Sequence, residues 1–214
     1  MRKTPALAFA LALALSTLPA QAKDPSLGAT TFTVYEAWLS PAQEGGEETE
    51  IPKALEKSLG STAPSVPRES RKSRGHGQLR FTKDLTRAYV EVDIQGVNPA
   101  DIVMFHIHCG PPNVLGPIVV DLAGAANASP TKSFANGKFS VELSNKDIVF
   151  IKDMHGLKPA LPEGCPAELG FPTQAKTIGS LEYLARKGVL YFNLHTKAHT
   201  YYGEMRGHIY PAQP

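Results

Sequence analysis

The residues able to do chemistry cluster in three short alternating segments. These are Phe105-His106-Ile107-His108-Cys109-Gly110-Pro111, Tyr191-Phe192-Asn193-Leu194-His195-Thr196 and Gly203-Glu204-Met205-Arg206-Gly207-His208-Ile209. Successive side chains of an extended chain point to opposite faces. One face therefore gathers Phe105, Ile107, Phe192, Leu194, Met205 and Ile209. The other gathers His106, His108, Tyr191, Asn193, His195, Glu204, Arg206 and His208. An ordinary half-buried strand carries Thr, Lys or Ser on its wet side, so a face this rich in imidazole calls for a chemical explanation.

Three or more imidazoles converging on a sheet bind zinc or copper. A His-x-His pair suits this, because its two rings leave one face roughly 7 Å apart at Cβ. His106, His108 and His195 are the candidate ligands. His199, four residues beyond His195 in a presumed turn, adds further capacity, and His155 is an outlying fourth candidate. The competing account is a hydrogen-bonded network that fixes strand register, drawn from Asn193, Glu204, Arg206 and His208 together with the histidines. A merely solvated face is the third. Pairing Thr196 with Gly203 across a hairpin sets His195 opposite Glu204, Asn193 opposite Arg206 and Tyr191 opposite His208, with partners about 5 Å apart. A one-residue slip would turn the apolar set outward. Sequence alone does not place the first histidine strand beside this hairpin.

The elements that must position these residues are short and mostly extended. Strands are predicted over Thr31–Leu39, Gln78–Thr82, Arg87–Gln95, Ile102–Cys109, Pro117–Leu122, Lys138–Leu143, Val189–Thr196 and Gly203–Tyr210. Short helices are predicted over Pro52–Leu59 and Ser144–Ile151. Ile178–Lys187 is a better one, with an apolar stripe and Gly188 as its stop. The prediction is an all-β fold, an antiparallel β-sandwich or Greek-key-like partial barrel with one or two short helices. Residues 23–30 and 211–214 are expected as tails around a single domain over 31–210. Residues 44–76, acidic at first and then rich in Pro, Ser and Arg, are expected to form a flexible solvated insertion that includes His76.

Residues 1–22 have a basic start, an apolar run from Ala6 to Leu15 and the small-x-small site Ala20-Gln21-Ala22, the pattern of a secretory signal peptide. No stretch reaches the roughly 20 apolar residues of a membrane span. The protein is thus expected to be exported, to the periplasm or beyond. Processing leaves 20 basic against 20 acidic side chains, which argues against nucleic acid as a partner. Protein and small-ligand partners stay open. Cys109 and Cys165, an even pair in an oxidising compartment, suggest a disulfide; two separate thiols, or Cys109 as a metal ligand, are the alternatives. There is no nucleophile elbow, no phosphate-cradling loop and no H-E-x-x-H, so no catalytic set is assigned.

These segments resemble the CHRD domain, a module named after the extracellular protein chordin. The family's A-H-I-H-G-P-like motif and following G-x-V-V-V-D-L strand are matched by Phe105–Pro111 and Gly116–Leu122. Its G-x-x-Y-V-N-V-H-T and G-E-I-R-G-Q-I motifs are matched by Gly188–Thr196 and Gly203–Ile209. Its opening A-x-L-S-G-x-Q-E strand is matched by Ala37–Glu44. Cys109 and His208 depart from the pattern, standing where a small residue and Gln are usual. The resemblance implies an all-β extracellular module and leaves its mechanism open. A weaker similarity, to copper–zinc superoxide dismutase through H-x-H on a sandwich strand, implies the alternative of a copper-dependent redox enzyme. It lacks the bridging-histidine and zinc-aspartate loop.

Overall fold

The computed structural model describes residues 24–149, 165–166, 172–173 and 176–213. Its strands are β1 Phe32–Leu39, β2 Arg74–Thr82, β3 Ala88–Gln95, β4 Ile102–Cys109, β5 Ile118–Asp121, β6 Lys138–Leu143, β7 Cys165–Pro166, β8 Pro172–Thr173, β9 Leu190–Thr196, β10 Met205–His208 and β11 Tyr210–Pro211. The helices are α1 Lys53–Leu59, α2 Leu122–Ala125, α3 Pro130–Ser133 and α4 Ile178–Arg186. Ser144 heads a single 3-10 turn over Asn145–Asp147 rather than a longer helix, its N–H and hydroxyl both donating to Asp147 at 2.8 Å.

Two antiparallel sheets face each other, in the orders β11-β1-β2-β3-β6 and β10-β9-β4-β5, and β7 pairs with β8 apart from both. β3 shows the expected period of two, burying Ala88, Val90, Val92 and Ile94 while Glu91, Asp93 and Gln95 face solvent. From the second sheet, Phe105 meets Phe134, Phe139 and Phe192 with ring centroids 5.1, 5.2 and 5.8 Å apart. α4 adds Ile178, Leu181 and Leu184 to this core. Along one edge the sandwich is nearly closed. The chain leaves the second sheet after His208 and joins the first at β11, where Tyr210 pairs with Glu36 and Pro211 with Tyr35. Ser40 and Arg206 exchange backbone hydrogen bonds of 2.9 and 3.2 Å across the same edge. The chain ends expected as tails take part as well: Pro211 is paired, and residues 25–29 form a 3-10 turn capped by Asp24.

The predicted hairpin register is observed, with Asn193 opposite Arg206 and Tyr191 opposite His208. β2 starts at Arg74, earlier than its hydrophobic pattern suggests, because glycines stand at 75 and 77, and at Gly77 the opposing sheet leaves no room for a side chain. A Cβ on Gly77 would lie 2.9 Å from the Phe192 ring. His76 is therefore a strand residue, 3.1 Å from the Glu36 carboxylate and tilted against the Trp38 ring with centroids 4.3 Å apart.

The largest departure from expectation is the segment between β1 and β2. Its polarity argues for solvation, yet Glu44, Glu48, Leu59, Arg71 and Ser73 are all buried. The reason lies in what it covers. β9 is buried along its whole length, with Leu190, Phe192 and Leu194 turned to the core and Tyr191, Asn193 and His195 turned to the other side. A cover for that polar side has to bring polar groups of its own, so low apolar content is no obstacle to packing there.

Gly207 marks the tightest contact at the closed edge, where a Cβ would sit 2.8 Å from Leu39 Cγ and 3.1 Å from Leu39 backbone. Gly207→Ala is expected to lower stability by about 1–3 kcal/mol in urea unfolding. An unchanged midpoint would show that this edge yields freely.

Candidate metal centre

Alternation along β4 puts Met104, His106 and His108 on the outer face of the second sheet. β9 runs antiparallel beside it, with Met104 opposite His195, His106 opposite Asn193 and His108 opposite Tyr191. This register brings the first histidine strand against the hairpin. The ring centroids are 5.4 Å apart for His106–His108, 5.4 Å for His106–His195 and 6.1 Å for His108–His195. One nitrogen from each ring lies within 4.8 Å of the other two. With metal–nitrogen bonds of about 2.0–2.1 Å, a shared ion would draw the three nitrogens closer together.

Two of the rings are already oriented for it. His108 Nδ1 lies 3.0 Å from the Gly116 carbonyl oxygen, and His195 Nδ1 lies 2.9 Å from that of Thr200. A carbonyl only accepts, so each Nδ1 carries the hydrogen and each Nε2 carries the lone pair. Both Nε2 atoms are buried without a hydrogen-bond partner among the described residues. Metal-binding histidines are commonly held this way, one nitrogen on the metal and the other donating to an outer acceptor. Burial pushes the His108 pKa down to about 4, and burial together with the neighbouring His108 pushes that of His195 to about 3. Both rings are neutral at physiological pH, the state a metal requires.

The other polar residues form a second group beside the histidines. His199 does not join the metal set: the turn at residues 197–202 carries it to the far side, where Nδ1 makes a very short hydrogen bond to Glu204 and Nε2 lies against the Val66 main chain. Glu204 also accepts from Ser73 at 2.6 Å and from Thr196 at 3.4 Å. Burial raises its pKa, but the bonds from His199 and Ser73 and the charge of Arg71 outweigh that and hold it below the usual carboxylate range. Arg206, fully buried, stacks 3.4 Å above the Tyr191 ring and donates to Pro111 and Val114 carbonyls and to His208 Nε2. Burial, with help from Arg206, lowers the His208 pKa to about 4. Asn193 donates to the Glu44 carboxylate at 3.3 Å and to the Tyr202 carbonyl at 3.2 Å. Cys109 lies in the hydrophobic core, on the face opposite His106 and His108, so it is no ligand to this centre. His155 falls outside the described residues.

Sequence reasoning missed the carboxylates and the arginine delivered by the covering segment. Glu48 accepts from the backbone N–H groups of Thr200, Tyr201 and Tyr202 at 2.9–3.2 Å, and so holds the turn whose carbonyl orients His195. Arg71 donates to the carbonyls of Gly203 and Glu204. Burial pushes the Glu44 pKa up to about 8. Of these, only Glu44 carried a signal, as the last residue of the Ala37–Glu44 match. A cavity of about 500 Å³ opens against the three histidines, its wall including Leu59, Met104, Ile118, Asp121, Ala123 and Tyr201.

Comparison with known proteins yields one match. The family model of the CHRD domain matches residues 57–209, well over half of the chain, and the match begins inside α1. No curated protein and no solved structure matches.

The depressed histidines make stability depend on pH. Their folded pKa values lie below the unfolded 6.5, so the folded protein binds fewer protons. That contribution is complete above pH 6.5 and is lost as the pH falls toward 4. Glu44 works in the opposite sense, its contribution being lost as the pH rises from 4.5 through 8. With three imidazoles against one carboxyl, urea unfolding of the chelator-treated protein should show a loss on the order of a few kcal/mol between pH 7 and pH 4.5. His108→Gln should flatten the dependence. An equal slope in that variant would place the titration elsewhere.

Proposed function

The chain belongs to the CHRD-domain family, and from that premise we propose that it is an exported, non-enzymatic binding module whose three-histidine centre holds one copper or zinc ion. The convergence of His106, His108 and His195 carries the proposal, with one nitrogen of each within 4.8 Å of the others and the Nε2 atoms of His108 and His195 buried without a hydrogen-bond partner among the described residues. A buried nitrogen without a partner costs about 1–3 kcal/mol. Bound metal would remove that cost. Residues 1–22 serve in this proposal as the export signal, which puts the protein in the periplasm or outside the cell. No described helix is long and apolar enough to cross a membrane.

The cavity beside the three nitrogens favours a second reading, a copper-dependent redox enzyme with an open coordination position. Assays of copper-loaded protein for superoxide dismutation and for oxidase activity separate the two.

Untagged mature protein is expected to take up one equivalent of copper or zinc in equilibrium titration, with the ion lost in His106→Ala/His108→Ala. Wild-type protein that binds neither ion would sink the proposal. In the oxidising compartment we also assign Cys109 to a disulfide with Cys165; no described cysteine is free. Thiol counting in denaturant should find none before reduction and two after it, whereas two thiols at the outset would refute the pairing.

A further inference from the structure

We propose that the centre is built for monovalent copper, with the Met104 thioether as a further ligand beside His106, His108 and His195. This deepens the three-histidine reading and rests on it. β4 sets Met104 on the histidine face, two residues before His106 and directly opposite His195 on β9. Opposite residues on one sheet face have Cβ atoms about 4.5–5.5 Å apart, within reach of a flexible three-torsion side chain. Met104 also shares the wall of one cavity with all three rings.

The charge arrangement points to the same ion. Imidazole and thioether donors bring no negative charge, and among the described residues no carboxylate joins the cluster. Glu204 is held by His199, Ser73 and Thr196 on the far side of the turn. Asp121, in the cavity wall, accepts from the Gly124 N–H at 3.0 Å as the cap of α2. Asp121 is paired with His106 across β4 and β5, and on the other side Arg206 lies on Tyr191, which in turn stacks on His108 with centroids 5.1 Å apart. The desolvation cost of an ion grows steeply with its charge. Donors that bring no negative charge of their own therefore penalise a divalent ion more than a monovalent one. Thioether sulfur, a soft donor, selects Cu(I) in preference to zinc.

The test uses the mature protein under anaerobic conditions. Cu(I) affinity is read by competition with bicinchoninate and Zn(II) affinity by competition with a chromophoric chelator, for wild type, Met104→Leu and His106→Ala/His108→Ala. Leucine conserves volume, so matching thermal transitions of the metal-free proteins will show that the fold is kept. Met104→Leu is expected to weaken Cu(I) about tenfold while Zn(II) stays within twofold. X-ray absorption of the copper-loaded wild type should show a sulfur neighbour that disappears in Met104→Leu. Unchanged Cu(I) affinity, or copper without a sulfur neighbour, would overturn the thioether assignment and leave the three-histidine site standing. Wild-type protein that binds no metal would overturn both.

Discussion

β9 is buried on both sides, and one of those sides is polar. The rest of the arrangement depends on satisfying that constraint. The inner side is routine, since Phe192 and Leu194 meet the opposing sheet and apolar burial there drives folding. The outer side carries Tyr191, Asn193 and His195 into a space from which water is largely excluded. Each polar atom there needs a partner or leaves a penalty. The segment between β1 and β2 answers this with Glu44, Glu48, Arg71 and Ser73, β10 with Arg206 and His208, and the position just before β10 with Glu204. What results locally is a third layer made of hydrogen bonds and ion pairs.

Within that layer the ionised groups act mainly on backbone. Arg206 donates to the carbonyls of Pro111 and Val114 and thereby clamps the loop after β4. The carbonyl that fixes His108, that of Gly116, lies in this loop. Glu48 collects three N–H groups of the turn after β9, and the carbonyl that fixes His195, that of Thr200, lies in that turn. The tautomers of two histidines are thus set by two buried charged side chains that touch neither ring. Isolated surface ion pairs of the kind seen between Lys138 and Asp93 contribute little by comparison.

Strand alternation, read from the sequence, was enough to predict the sheets, the hairpin register and the sharing of one face by His106 and His108. Those features depend on local periodicity, which a single chain displays. The adjacency of β4 and β9 depends on a pairing across some 80 residues, and nothing in either strand declares its neighbour. The place of His199 was misjudged for a related reason. Four residues beyond His195 put it in range in sequence, but the turn held by Glu48 carries its ring toward Glu204. The covering segment was misread because composition was weighed against an apolar core, when the surface it meets is itself polar. Gly77 misled the boundary of β2 in the same way, its missing side chain being an accommodation to Phe192.

The separation of Glu204 and Glu44 from the three imidazoles has a chemical consequence. Glu204 and Glu44 lie on the same layer as the histidines, yet each is engaged elsewhere, Glu204 by His199 and Ser73 and Glu44 by Asn193. Had either carboxylate reached His106, His108 or His195, it would have favoured the imidazolium, and a cation there cannot bind a metal. Held apart, His108 and His195 feel burial, and His108 also feels the field of Arg206, and these favour the neutral form. The arrangement that stabilises the covering segment thereby keeps the nitrogen lone pairs available.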